Sequence, residues 1–473
     1  MEVDFKQAPP KAKLDHICVL VHGLYGQPSH FDYVASALRE KHGNDLYILV
    51  PKSNKGSLTY DGIELGGERV AFEIEEALVI LHNLGHNIRK MSIVGYSLGG
   101  LVARYAIGLL YTKGHFDKLE CVNFTTFATP HVGVRSPARR NHFWNVVGAR
   151  TISESGRQLF MIDSFRDTGK PLLGVLATPG SIFMLALEKF KHRSLYANIV
   201  NDRAAVFYTT GISRIDPFAH LDKVDINYVK GYASVVVDLD HSVDLRQKTQ
   251  TTRHPLGQIS SHGLSILQKL PFHLFVVLFV TISSIVYLLN SVIQTMRSKK
   301  RIRLHHQGKS GFSVSSYRDP LFMEEMQNAV DDMYESVNAS HQPEYLSQDE
   351  ENTENQDLSS TPFSQTNERE PHQSSGTEKL LTEDPAGCRS SSRMSRPTPH
   401  TQTTDTTPFP TLALTMAQFE IIDALNSVGF RKYPVYIHND KHSHAAMIVR
   451  FLKKTFDEGK TVIRHWLDEE FRP

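Results

Sequence analysis

Two short strings carry residue types able to do acyl-transfer chemistry. Gly95-Tyr96-Ser97-Leu98-Gly99-Gly100 sets a serine among glycines, after the apolar run Met91-Ser92-Ile93-Val94 and before an apolar helical pattern, Leu98 to Leu110. A serine on such a strand-to-helix turn is held in a strained backbone, which small neighbours at 95 and 99 permit, and its hydroxyl projects above the sheet as a nucleophile. His22-Gly23-Leu24-Tyr25-Gly26 closes a second apolar run, His16 to Val21. Acyl transfer needs backbone N–H groups aimed at the developing oxyanion, and the amides of Leu24 and Leu98 are the candidates. The alternative for the second string is an ordinary glycine turn with a hydrogen-bonded His22.

A serine nucleophile needs an acid and a base, the acid at the end of a later strand and the base last in the chain. Asp202 follows the apolar run Leu195 to Val200 and meets the first condition; Asp163 and Asp216 compete with it. His438, His442 and His444 cluster near the C-terminus. His444 is favoured because it enters a stretch of small and apolar residues, with His442 second. Three imidazoles so close also permit a metal site, but no Cys or Glu accompanies them, so neither a metal nor an organic cofactor is expected.

The elements that must position these residues alternate. Strands are expected at His16–Val21, Leu46–Val50, Met91–Val94, Val122–Phe127, Leu195–Val200 and Tyr433–Ile437, with helices at Gly67–Asn83, Leu98–Leu110, Ile182–Phe190 and Phe419–Val428. A closing helix is expected to begin around His442 and to carry Ala446, Ile448, Val449 and Leu452. Alternating strands and helices imply crossover connections, hence an α/β fold with a mostly parallel sheet and helices on both faces.

Leu270 to Met296 contains no Asp, Glu, Lys or Arg and is followed by Arg297-Ser298-Lys299-Lys300-Arg301-Ile302-Arg303. About 20 apolar residues cover the bilayer core, so this segment is long enough to span, and the basic cluster suits a cytosolic side or anionic headgroups. Residues 340–410 are rich in Ser, Thr, Gln, Glu and Pro, the composition of a disordered linker. The expected organisation is therefore 1–230, the N-terminal part of the catalytic domain, then 231–269, a connecting segment. After these come 270–296, a hydrophobic membrane-associated segment; 297–339, a basic and amphipathic connector; 340–410, the linker; and 411–473, the C-terminal part with the histidine.

Composition sets outer limits. The 473 residues are 40% hydrophobic and 22% charged, enough for a sizeable core. Lys and Arg number 52 against 51 Asp and Glu, so there is no basic field to attract nucleic acid. Three scattered cysteines, Cys18, Cys121 and Cys388, suit a reducing compartment. The first residues lack the apolar core of a signal peptide, which points to the cytosol for the N-terminal half.

The pairing of His22-Gly23-Leu24-Tyr25-Gly26 with Gly95-Tyr96-Ser97-Leu98-Gly99-Gly100 resembles the "putative serine esterase" family of eukaryotic lipases. Three further strings, Ala128 to Gly133, Tyr196 to Arg203 and His442 to Ala446, resemble its fungal branch, which includes a lipid-droplet phospholipase. The resemblance covers roughly residues 14 to 215 and 415 to 455. It implies the α/β-hydrolase fold, a phospholipid or acylglycerol substrate, a lipid-droplet or endoplasmic-reticulum membrane address with the catalytic domain facing the cytosol, and triad roles for Ser97, Asp202 and His444. Tyr96 stands where related lipases often carry His, and its side chain is expected to do no chemistry.

Ser97 and Asp202 precede the apolar segment and His444 follows it, so one complete crossing would separate nucleophile and base. A segment that dips into one leaflet, lies along the interface or forms a hairpin keeps both in the cytosol. The opposing arrangement is a true span with the base among His241, His254 or His262. The expected activity is a serine hydrolase, a phospholipase or lipase working through an acyl-enzyme at a membrane or lipid-droplet surface. The alternatives are an acyltransferase or thioesterase with the same triad, and a non-catalytic membrane adaptor on a hydrolase scaffold.

Overall fold

The side chains of β1 (His16–Val21) alternate between two cores, as the period of a strand requires: Ile17, Val19 and Val21 enter one, Cys18 and Leu20 the other. A strand buried on both sides reads as a continuous apolar run, which is why β1 is so plain in the sequence. The computed structural model describes residues 14–246 except 44, 135–152 and 203–204; 293–307 except 294 and 306; and 409–473 except 413. The chain divides into two units, Met1–Tyr345 with Thr411–Pro473, and Leu346–Pro410; the elements below belong to the first.

With β1 pair β2 (Leu46–Leu49), β3 (Lys90–Tyr96), β4 (Glu120–Phe127) and β5 (His192–Asn198), while β6 (Val224–Ile226) and β7 (Val243–Leu245) form a small antiparallel pair of their own. β8 (Arg431–Val435) completes the main sheet, whose order is β2-β1-β3-β4-β5-β8, parallel throughout. The expected mostly parallel sheet is thus present. On one face lie α2 (Ile63–Asn83), α3 (Leu98–Thr112), α4 (Ile182–Glu188) and α5 (Met416–Ser427). The other face is covered by α1 (Asp32–His42), the short α6 (Ser443–Ala446) and α7 (Asp457–His465), with Trp466 fully buried between. The outer edge of β8 is closed by residues from the expected connecting segment: Val237 N–H donates to Pro434 O at 2.9 Å, and Tyr436 N–H to Val235 O at 2.8 Å. Covering that edge removes a row of unpaired backbone groups.

β5 and β8 pair from Ser194↔Arg431 to Asn198↔Val435. Residues on both flanks of 270–296 therefore share one sheet, and a single crossing between them is incompatible with that pairing. Residues 270–292 lie outside the described residues, as do 308–408 with most of the expected linker; among the described residues no helix is long and apolar enough to cross a membrane. The basic stretch after the apolar run is helical over 295–305. Ser298 Oγ donates to Tyr60 O at 3.2 Å, Arg301 pairs with the fully buried Asp61 carboxylate at 2.6 Å, and His305 Nε2 lies 2.6 Å from Glu68.

The closing helix needs correction. The helix at His444 ends at Ala446, Val449 takes a left-handed φ of 52°, and Leu452 stands 87% exposed instead of packing. A β-branched residue in that conformation cannot continue a helix. The element that closes the domain is α7, which the sequence reading did not include. Smaller shifts occur at the ends: α2 begins at Ile63, and β5 runs His192–Asn198, earlier than Leu195–Val200.

Candidate active site

Ser97 sits between the last residue of β3 and the first of α3 with φ 55° and ψ −130°. That conformation costs energy for any residue with a Cβ and persists only where the surroundings impose it. Ser97 N–H donates to Phe127 O at 2.9 Å, fixing the turn to β4. Close approach explains two of the glycines. A Cβ at Gly99 would overlap the carbonyl oxygens of Val21 and His22, and one at Gly23 would lie 2.6 Å from Ser97 Cβ. The two strings read as one site in the sequence are thus pressed against each other at the carboxyl ends of β1 and β3.

The structure brings Ser97, Asp202 and His444 together. Ser97 Oγ and His444 Nε2 are 2.9 Å apart, and His444 Nδ1 is 2.8 Å from Asp202 Oδ2. Ser97 and His444 remain partly open to solvent, whereas the Asp202 side chain is 1% exposed. Asp202 also accepts from Asn198 Nδ2 and from Ala205 N–H, each at 2.9 Å. Burial alone would push the Asp202 carboxyl up; His444, the Ala205 amide and Asn198 outweigh it and hold the carboxyl below its ordinary range. An ionised Asp202 facing Nδ1 fixes the tautomer in which Nε2 is free to accept a proton from the serine.

The competing residues are engaged elsewhere. Asp163 accepts from Leu172 N–H at 2.9 Å, at the start of a short helix, and Asp216 from Phe218 N–H at 3.0 Å within its own turn. His438 Nε2 bonds Ser234 O at 2.6 Å, and His442 is exposed at the start of α6. The three imidazoles diverge, and among the described residues no group of three His, Cys, Asp or Glu side chains is placed to hold a metal. His241 is exposed, its amide bonded to Asp238; His254 and His262 lie outside the described residues.

Leu98 is the first residue of α3, so its N–H has no acceptor within the helix. The Leu24 N–H lies in the turn closed by Gly26 N–H to Gly23 O at 2.9 Å, and Tyr25, at φ 54°, is held there by donation from its N–H to Thr59 Oγ1 at 2.9 Å. The His22 imidazole, buried beneath this turn, contacts Gly23 O at 3.2 Å, and burial pulls its pKa down. It supports the loop.

Tyr96 has a part that the sequence reading did not give it. Its buried hydroxyl donates to the backbone carbonyl of His444 at 3.1 Å, with the two rings 5.1 Å apart. Asn198 was also missed as a partner of Asp202; its position four residues before the acid, at the end of β5, is the only signal the sequence carries. A parallel sheet with a strained serine after the third strand, an acid after the fifth and a histidine after the last is the α/β-hydrolase fold.

Residues 11–215 match the family model described as "Putative serine esterase (DUF676)". The chain is 32% identical over 216 residues to "Putative lipase ROG1" of Saccharomyces cerevisiae, a match covering 44% of this chain and 30% of that protein. It is 27% identical over 212 residues to "Putative lipase C4A8.10" of Schizosaccharomyces pombe, covering 42% of this chain and 26% of that protein. The matched region is thus under a third of the length of these curated relatives. Among solved structures, the putative cell surface hydrolase from Lactobacillus plantarum WCFS1 aligns with a TM-score of 0.25 at 11% identity, over 42% of this chain and 75% of that one. At that score the fold assignment rests on the strand order and the elbow, not on the alignment.

Proposed function

We propose that this chain, whose residues 11–215 match the putative serine esterase family model, hydrolyses the acyl esters of phospholipids or acylglycerols through Ser97, His444 and Asp202. The observation that carries the reading is the pair of contacts, 2.9 Å from serine to imidazole and 2.8 Å from imidazole to buried carboxylate.

Ser97 Oγ attacks the ester carbonyl as its proton passes to His444 Nε2. The carbonyl oxygen becomes an oxyanion facing the Leu24 and Leu98 amides, and loss of one such donor costs about 10²–10³ in rate. Collapse breaks the ester C–O bond, and His444 returns the proton to the departing alkoxide. Water then adds to the acyl-enzyme with His444 as base, and the fatty acid leaves. Asp202 holds the imidazole and stabilises its protonated form without taking the proton. Every step is done by side chains and backbone, and no cofactor is invoked. The apolar run 270–296 and the relatives named as lipases favour a lipid ester over a soluble one.

The test is to incubate the full chain with mixed phospholipid and triacylglycerol emulsions and identify the products. Free fatty acid together with lysophospholipid or diacylglycerol, absent with Ser97→Ala, is the expected result. Acyl transfer to an added alcohol or lysolipid, with no free fatty acid, would replace hydrolysis by acyl transfer.

A further inference from the structure

We propose that the edge of the sheet that presents Ser97 docks on an anionic phospholipid surface, with the loop 450–454 as the part that inserts. The purpose of this surface rests on the lipid-hydrolase reading above; its geometry does not.

Leu452 is 87% exposed and Phe451, beside it, is 55% exposed. Lys453 and Lys454 follow directly, both exposed. Scattered single apolar residues are ordinary on a protein surface, but two large ones in succession at a tip, backed by lysines, suit an interface between acyl chains and phosphates. The loop is held in place. Val449 turns the chain outward in its left-handed conformation, the Phe451 ring meets His30 edge-on at 6.0 Å, and Lys453 pairs with Asp440 at 2.8 Å. Leu452 is therefore presented at a fixed point just beyond the His444 helix, against the segment that follows β1.

A second patch continues the same edge. Tyr25, exposed on the Leu24 turn, packs edge-on against Tyr60 at 5.0 Å, and the Tyr60 carbonyl accepts from Ser298. The helical residues 295–305 are thus fastened next to the oxyanion turn. They leave Met296 67% exposed, along with Arg297, Lys299, Lys300 and Arg303. The apolar run 270–296 of the sequence therefore joins the described structure at this edge. Cations at two places around an apolar tip match the charge of an anionic leaflet, where each adjacent Lys or Arg strengthens attachment about fivefold.

The experiment uses the full chain in a Cys388→Ser background, with an environment-sensitive nitrobenzoxadiazole label placed at Leu452→Cys or, on α2 away from this edge, at the exposed Val79→Cys. Cys18 and Cys121 are buried and do not compete for label. Vesicles of phosphatidylcholine alone and with added phosphatidylserine are titrated. The expected result is a blue-shifted, brighter emission at position 452 with phosphatidylserine present and none at position 79. Leu452→Glu is expected to lower partition onto the same vesicles about tenfold or more, and to lower the ratio of vesicle hydrolysis to hydrolysis of a soluble short-chain ester. No shift at 452, an equal shift at 79, or equal insertion into vesicles lacking phosphatidylserine would overturn the proposal. If 452 inserts while no lipid is hydrolysed but the soluble ester is, the docking surface stands and the lipid-hydrolase reading fails.

Discussion

His444 Nε2 lies 2.9 Å from Ser97 Oγ although 347 positions separate the two residues in the chain. The contact exists because β8 pairs with β5 from the far side of the apolar run 270–296, which delivers the histidine to the carboxyl edge of a sheet begun before that run. The site and the chain topology are thus tied: the described residues on either side of that run share one sheet.

Removing the acid should cost rate without removing the fold. Asp202→Asn keeps the size of the side chain and can still accept from Ala205 N–H, but its amide favours the wrong imidazole tautomer. We expect kcat to fall by about 10³–10⁴ with little change in thermal midpoint. A decrease below tenfold would mean that another group orients His444.

Tyr96 is expected to act as a positioning residue through its hydroxyl. Tyr96→Phe removes the hydrogen bond from its hydroxyl to the His444 carbonyl, a contribution of about 1 kcal/mol, so kcat should drop about fivefold while KM stays constant. Steady-state kinetics on a soluble ester, together with the rate of fluorophosphonate labelling, provides the check. Unchanged labelling would show that the His444 backbone is held without it.

Gly99→Ala places a methyl group against the Val21 and His22 carbonyls, both backbone atoms of a central strand end. Relief requires moving β1 or α3, at about 1–3 kcal/mol or more. Denaturant unfolding should register that loss, together with lost activity, because the oxyanion turn follows β1. A variant with wild-type stability would contradict the close approach of these two strings.

Acid should destabilise the fold before its carboxylates protonate. Burial lowers His16, His30 and His465 each to about 4. Their folded pKa values lie below the unfolded value of about 6.5, so the unfolded chain binds more protons between those limits. Stability therefore rises with pH through this window and is lost as pH falls from about 6.5 to about 4, and the buried His22 and His131, also lowered, add to the same trend. Asp163, raised by burial to about 6, opposes this with the reverse sign. Urea midpoints at pH 7 and 4.5 test the balance. His16→Gln, which keeps a partner for Ser92, should show a shallower dependence; an unchanged slope would remove His16 from the account.

Much of this was legible because the fold writes itself locally where burial is complete. β1 and β3 are buried on both faces, so they appear as short apolar runs, and the glycines around Ser97 mark backbone contacts that admit no Cβ. Asp202 was harder to separate from Asp163 and Asp216, since all three lie in loops and only the folded structure shows Asp163 bonded at the start of a helix and Asp216 within its own turn. His442 and His444 share one motif; what distinguishes them is that the first starts the helix and faces solvent while the second is inside its first turn. The closing helix was misjudged because Ile448 and Val449 are indeed buried, but on a turn and not on a helix face. Tyr96 was invisible as a partner because its acceptor lies 348 positions away.

The most direct test of the central claim is to label the full chain with a fluorophosphonate and map the adduct by mass spectrometry in wild type, Ser97→Ala, His442→Ala and His444→Ala. The account predicts a phosphonyl group on Ser97 in wild type and His442→Ala, and labelling slowed by at least about 10³ in His444→Ala. An adduct on another residue, or labelling that persists in Ser97→Ala or in His444→Ala at the wild-type rate, would contradict it.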